Sequence, residues 1–334
     1  VRRSGGGEHG PSLAQPPGGH DHVGYATAVL DLHTHSTFSD GSDTPYELAE
    51  KSHRLGIRAI SLTDHDTTRS HDEMAVATRH FGIELVPGVE VSLRDNEFPV
   101  ERNGRIVPRN VHVLAYFLPL DLTHPLQRQL AELRHDRDVR NHELVALLNE
   151  LGFDRITLEY LGEMSGSVES VGRPHFARAM FELHPEIVGP RTDTSWDRLF
   201  IDWLGRGGRA YIPKTSMPIE QFVESGEGSS TVFSIAHPLV NYVEECSSSA
   251  VESVLPKVFA SLRERGVVGV EAYYGGTDAA TRSLVVKLTR DAGMIPTGGS
   301  DYHGHYKEEV KLGFGRSGDL RVPDEILDEL KAAR

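Results

Sequence analysis

Short apolar runs separated by amphipathic stretches set the first expectation. "AVLDLH" closes at His33, and "TPYELAEKSHRLG" follows with Thr44 as N-cap, Pro45 in the first turn, Glu47 completing a capping box and Gly56 as the stop. "IRAISLTDHD" reads as the next strand, residues 72–81 as a helix, and "IELVPGVEVS" and "NVHVLAYF" as further strands. This alternation predicts a parallel sheet flanked by helices. Beyond residue 120 the period changes: "PLQRQLAELRHDRDVRNHELVALLN" has apolar residues at helical spacing, and few strand-like runs appear before "TVFSIAHP". "GVVGVEAYY", a helix near 277–292 and "MIPTGGSDYHG" then resume the alternation. The expected organisation is an α/β domain at 25–120 and 229–334, interrupted by a mainly helical insertion at 121–228. Residues 1–24 are Gly/Pro-rich and aperiodic, and read as a flexible tail.

Length agrees with one large domain plus an insertion, because 334 residues exceed the size at which a single core usually stops growing. Apolar residues at 38% and charged residues at 25% describe a globular chain, with no uninterrupted apolar run of about 18 residues for a membrane span. The start of the sequence has no apolar core of the signal-peptide type, and the lone Cys246 excludes an intramolecular disulfide; the cytoplasm is expected. The balance of 35 basic and 49 acidic residues, net −14, argues against a duplex nucleic-acid partner while allowing a local basic pocket. One count is unusual. Histidines number 18, above Phe at 12 and Tyr at 10, so a metal role is raised and position must decide it.

Position favours it. His33 and His35, Asp64 and His65, Glu90, His237, and Asp301 with His303 stand at or just after the C-terminal ends of predicted strands. In a barrel of parallel strands those ends converge on one face, where such folds build their sites. Residues i and i+2 of a strand point to one side, so His33 and His35 can present both imidazoles to one ion while Asp40 reaches in from the next loop. "HDH" at 20–22 is the internal control: the same spacing lies in the tail with no strand to aim it. Imidazole and carboxylate donors without thiolates suit Mn, Fe or Zn better than Ca or a structural zinc knot. Glu90 inside "GVEVS" would be costly to bury without a cation.

"DLHTHSTFSDG", "SLTDHDT", "GVEVS", "HVLAYF", "GRPH", "AHP" and "GGSDYHG", in this order over about residues 29–315, resemble the polymerase and histidinol phosphatase (PHP) family, a branch of the amidohydrolase-like metal hydrolases. Within it the chain is more similar to the 3',5'-nucleoside bisphosphate phosphatases than to the histidinol phosphatases. The resemblance implies an α/β fold, a distorted seven-stranded (β/α)7 TIM-like barrel with an inserted, mainly helical subdomain covering the active site, and two to three divalent ions. It assigns His33, His35, Glu90 and Asp301 to one ion, with Glu90 bridging to a second held by His112 and His237, and Asp40, His65 and His303 to a third. On its residues alone, His112 reads as a hydrogen-bonded core histidine; only the family position makes it a ligand. Asp64 and Asp66 are expected to orient His65. Candidates to hold the phosphate are Arg137, Arg140 and Asn141 of "RDVRN", Arg173 and His175 of "GRPH", and Lys214. His175 could instead protonate the leaving oxygen, and with Asp301 it is the residue assigned to catalysis. Arg137 and Arg140 fit a solvated helix face equally well. Glu271 is read as support for a ligand, Tyr273 and Tyr274 as pocket wall, with ordinary strand-end packing as the alternative.

Clustered cations activate water and neutralise phosphoryl oxygens, so phosphate ester hydrolysis is the expected chemistry. The leading expectation is a phosphomonoesterase for a small nucleotide such as a nucleoside 3',5'-bisphosphate. The runner-up is a phosphodiesterase or 5'-3' exonuclease on short RNA or cyclic phosphates. A third reading, a non-catalytic metal-stabilised nucleotide-binding module, is disfavoured by the complete ligand set. Amide hydrolysis would need groups for a tetrahedral carbon intermediate that the sequence does not offer. Expected partners are therefore a small phosphorylated substrate, with neither duplex nucleic acid nor membrane.

Overall fold

Thr44 starts the first helix by the expected exchange: its Oγ1 accepts from Glu47 N at 3.2 Å, while Glu47 Oε2 accepts from Thr44 N at 2.9 Å. The computed structural model describes residues 29–102, 104–165, 171–205, 207–213, 216–243 and 247–334. The 1–24 tail with its "HDH", Lys214 and Cys246 lie outside the described residues. The first half runs β1 (Val29–Thr34), α1 (Pro45–Arg54), β2 (Ile57–Leu62), α2 (His71–Phe81), β3 (Glu84–Leu85), β4 (Gly88–Arg102) and β5 (Arg105–Tyr116). Helices follow: α3 (Pro125–Glu150), α4 (Leu158–Ser165), α5 (Arg173–Leu183), α6 (Pro185–Val188), α7 (Asp193–Leu199) and α8 (Ile219–Glu224). The chain ends with β6 (Val232–Ile235), α9 (Pro238–Tyr242), α10 (Ser248–Glu264), β7 (Gly269–Tyr274), α11 (Ala279–Asp291), β8 (Ile295–Gly299) and α12 (Glu325–Ala332).

The fold is mixed α/β, with a three-stranded sheet of order β1-β2-β3 and a five-stranded sheet of order β4-β5-β6-β7-β8. The expectation of a purely parallel sheet is corrected. β4 pairs antiparallel with β5, and β5 antiparallel with β6, whereas the other pairings are parallel. The hairpin continues through polar, proline-bearing sequence between the two expected strands; the ladder slips between Asp95 and Val100, where Pro99 cannot donate a hydrogen bond. The expected strand "IELVPGVEVS" is split at Pro87 into β3 and β4.

Two seams join the sheets at one end. Asp301 N donates to His33 O and His35 N to Tyr302 O, both at 2.9 Å; Glu90 N donates to Thr63 O at 3.1 Å and Asp66 N to Glu90 O at 2.9 Å. β8 approaches β1 closely because of glycine: a Cβ on Gly299 would lie 2.4 Å from His33 N.

Strand alternation separates core from chemistry. Val89, Val91 and Leu93 of β4, and Val111, Val113 and Ala115 of β5, enter a core shared with Val258, Phe259 and Leu262 of α10. Glu90 and His112 therefore face the other way. In β1, Leu30 and Leu32 pack in one cluster with Ile326, Leu327 and Leu330 of α12, leaving Asp31 and His33 on the opposite face.

The helices between β5 and β6 build a separate cluster around Leu148, Phe153, Phe176, Met180 and Trp203. α3 serves both cores, with Leu126, Leu130 and Leu133 in one and Leu144 and Leu148 in the other. Arg137, Arg140 and Asn141 lie on the stretch between these two anchorages. Among the described residues, no helix is long and apolar enough to cross a membrane.

Candidate metal centre

Glu90 is the hub. Its Oε2 lies 3.3 Å from His33 Nε2, 3.3 Å from His35 Nε2 and 3.0 Å from His65 Nδ1. Its Oε1 lies 2.9 Å from both His112 Nδ1 and His237 Nε2. Asp301 Oδ1 is 3.6 Å from His33 Nε2 and 3.5 Å from His35 Nε2, and the two imidazole nitrogens are 3.1 Å apart. Asp40 closes the third group, 3.3 Å from His303 Nε2, 3.7 Å from His65 Nε2 and 3.7 Å from His35 Nδ1. All nine residues expected as ligands are thus brought together.

The spacing is informative. Metal–donor bonds of about 2.1 Å place neighbouring donors about 3.0 Å apart in an octahedron and about 3.4 Å apart in a tetrahedron. The distances around Glu90 and Asp301 fall close to these values. Asp40 Oδ1, His65 Nδ1 and His237 Nδ1 are buried with no hydrogen-bond partner among the described residues, which is costly unless a ligand completes them. The donor set therefore fits divalent cations.

Supporting groups select the ring nitrogen that faces the cluster. Glu271 accepts from His33 Nδ1 at 2.8 Å and from His237 N at 2.7 Å, which turns His33 Nε2 inward. The Asp301 carbonyl accepts from His303 Nδ1 at 2.8 Å, leaving Nε2 for Asp40. Asp31 receives Ser300 N at 2.8 Å and Gly313 N at 2.7 Å, tying β1 to the loop that carries Asp301 and His303. Asp301 has φ 58° and His237 φ 27°, backbone conformations that L-residues seldom adopt and that cluster where function demands them.

Electrostatics keep the carboxylates of the cluster ionised. Burial raises the cost of ionising Glu90, yet the His65, His112 and His33 imidazoles hold its pKa well below the ordinary value. Burial opposes ionisation of Asp301 as well, and Lys307 with His303 and His35 overcomes it. Burial would lower His35, but hydrogen bonds to Asp301 and Glu90 and the charge of Asp40 lift it to about 9. For His65 burial wins, and its pKa falls to about 3.

The expected orienting role of Asp64 toward His65 is corrected. Asp64 instead accepts from Ser36 N and Ser39 Oγ at 2.7 Å and from Ser70 Oγ at 2.6 Å, because its side chain turns under the β1 loop. Asp66 accepts from Ser92 N at 2.7 Å and pairs with Arg137. Arg137, neutralised by Asp66, also donates to the His65 carbonyl. Arg140 is 7% exposed, donates to Asn141 Oδ1 at 2.9 Å and keeps a buried Nε without a partner among the described residues. Burial, with Arg173 and Arg137 nearby, lowers its pKa to about 10, so it stays cationic at neutral pH. Asn141 Nδ2 donates to the Val171 carbonyl, positioning the turn into α5, and Arg173 donates to the Ile212 carbonyl. His175 Nδ1 accepts from Gly172 N at 3.0 Å, which leaves a proton on Nε2.

Sequence reasoning missed Lys307. Its Nζ lies 2.9 Å from Asp301 Oδ2, the oxygen turned away from the histidines and toward Tyr274 OH at 3.2 Å. It sits six residues after Asp301, beyond the last recognisable motif, and nothing in its spacing marks it. A cavity of about 750 Å³ opens from Asp40, Asp301 and His303 past His175 and Lys307. A second, of about 630 Å³, lies between Asn110, Arg173, Tyr211 and Asn241.

Residues 31–179 match the family model described as the PHP domain. The chain is 27% identical to a 5'-3' exoribonuclease of Haemophilus influenzae, over 83% of this chain and 90% of that protein. It is 26% identical to a 3',5'-nucleoside bisphosphate phosphatase of Chromobacterium violaceum, over 83% and 87%. A structure from the same organism, described as an amidohydrolase with bound sulfate and no metal, superposes with a TM-score of 0.70 at 24% identity, covering 92% of this chain and 97% of that one.

Proposed function

The chain belongs to the PHP family and is a metal-dependent phosphoric ester hydrolase, and from that premise we propose that it removes a phosphate from a small nucleotide such as a nucleoside 3',5'-bisphosphate. The observation that carries this reading is Glu90, one buried carboxylate shared by five imidazoles at 2.9 to 3.3 Å.

In this reading His33, His35, Glu90 and Asp301 hold one ion, Glu90, His112 and His237 a second, and Asp40, His65 and His303 a third, with Mn, Fe or Zn suited to the donors. Bound there, such ions lower the pKa of water to about 7 and offset charge on the phosphoryl oxygens. The protein's part is orientation. Arg140, cationic and with an unused Nε, holds a phosphoryl oxygen, and Arg173 flanks it. Neutral His175 offers Nε2–H to an ester oxygen as a hydrogen-bond donor; burial lowers its pKa, which disfavours the imidazolium needed for a general acid at neutral pH. Residues 121–228 act as an inserted unit over the mouth of a distorted barrel, a reading supported by the two seams and by α3 bridging both cores.

Manganese-loaded protein is expected to release inorganic phosphate from adenosine 3',5'-bisphosphate. Chelation should abolish turnover and lower the melting temperature, and manganese should restore both, because an ion bound only by the native state stabilises it. Absence of phosphate release under saturating manganese would end the monoesterase reading. Arg140→Met is expected to raise KM about tenfold or more, the scale of one charge-assisted hydrogen bond; an unchanged KM would remove Arg140 from the phosphate site.

A second reading, 5'-3' exonuclease on short RNA, is favoured by the second cavity on the Asn110 and Arg173 side, which gives a longer substrate somewhere to go. Release of mononucleotides from a 5'-phosphorylated oligoribonucleotide, resolved on a gel, separates it from the first.

A further inference from the structure

The larger cavity does not end at the charged groups. Trp196, Phe200, Arg191 and Tyr306 also line it, and the Tyr306 ring stands edge-on to His175 with centroids 6.0 Å apart. Trp196 and Phe200 stand four residues apart on one helical face, their ring centroids 5.7 Å from each other. The helix changes character between them: α7 ends at Leu199 and a π-helical turn spans Phe200–Leu204. That wider turn buries Trp203 and Leu204 in the helical core and leaves Phe200 half-buried beside Trp196. Inserted π turns are uncommon and concentrate at functional sites. Phe181 backs Trp196 in a near-parallel stack at 18°, and the Arg191 guanidinium lies 4.8 Å from the indole centroid.

The half-buried Phe200 ring and the Arg191 guanidinium plane, itself lying over the indole of Trp196, in one cavity with a phosphate-directed metal cluster, match the chemistry of a nucleobase ester: a π-face at one end and an anionic ester at the other. We propose that this wall is a base-stacking subsite, so that the enzyme selects phosphate esters carrying a purine or pyrimidine over sugar phosphates without one. The inference rests on the phosphoesterase reading above and adds the base to it. Trp196 and Phe200 determine specificity, whereas the ester is held near Asp301, Lys307 and His175.

The test uses the full chain loaded with manganese and two substrates with the same phosphates: adenosine 3',5'-bisphosphate and its abasic tetrahydrofuran counterpart. The wild-type protein is expected to favour the base-bearing ester in kcat/KM by about tenfold or more, the scale of one base–aromatic stack. The W196L/F200L variant should lose most of that ratio. A binding measurement runs beside it: AMP should quench tryptophan emission where ribose 5-phosphate does not, and W196L should lose the quench. Equal kcat/KM for the two esters, or AMP leaving the emission unchanged, overturns the subsite. If the wild-type protein hydrolyses neither ester, the phosphoesterase reading falls while the AMP titration still decides whether the wall binds a base.

Discussion

Glu90→Gln is expected to lower kcat by about a thousandfold or more while the protein stays folded, the largest catalytic effect foreseen for a single substitution. Both carboxylate oxygens of Glu90 are engaged, Oε2 toward His33, His35 and His65 and Oε1 toward His112 and His237. Glutamine keeps the shape but replaces one oxygen with an NH₂ group that cannot bind a cation, and it removes the negative charge between two proposed ion sites. The protein should stay folded with a lower melting temperature, since glutamine keeps the shape and one accepting oxygen while the ion held through Glu90 no longer stabilises the native state. Elemental analysis should find at least one ion fewer per chain, with circular dichroism unchanged. Asp301→Ala should act similarly on turnover, and its loss also leaves Lys307 without its carboxylate. An active Glu90→Gln protein with its full complement of ions would refute the shared-carboxylate arrangement.

Asp95→Ala is expected to destabilise the protein by about 3–5 kcal/mol, the usual cost of breaking a buried ion pair from one side. Asp95 is 0% exposed; it accepts from Arg265 Nη1 at 3.0 Å, Arg265 Nη2 at 3.3 Å, Tyr242 OH at 2.7 Å and Glu97 N at 2.9 Å. These bonds tie the slipped part of β4 to α9 and to the end of α10, and Arg265 continues to Glu220 of α8. Alanine would strand a largely buried guanidinium and a buried phenol without their acceptor. Urea denaturation followed by circular dichroism reads the change, and the ion content of the folded protein should stay at its wild-type value. A shift below about 1 kcal/mol would mean that water replaces the carboxylate and that the network adds little.

Asp95 also marks a limit of sequence reading. Nothing in "SLRDNEFPVER" distinguishes a buried acceptor of several bonds from a loop aspartate, because its partners Tyr242 and Arg265 stand 147 and 170 residues away along the chain. Arg137 illustrates the same limit. Its place on a charged helix fits a phosphate ligand and a solvated face equally, yet it pairs with Asp66 across another element. Lys307 carries no spacing rule at all, and the i, i+4 spacing of Trp196 and Phe200 is that of any apolar helix pair.

Local chemistry was legible where a short-range rule applied. Thr44, Pro45 and Glu47 dictate a helix start through bonds within one turn, and strand alternation puts His33 on the face opposite Leu32 wherever that strand is placed. Pairing direction, the two seams and the meeting of nine donors depend on contacts between residues far apart in the chain, whose geometry is set when cores on both faces close. The sequence therefore determined which side chains could bind a cation and which way each leaves its strand. Only the tertiary structure decided that five imidazoles would meet at Glu90, because a shared carboxylate is a property of distances that no single segment contains.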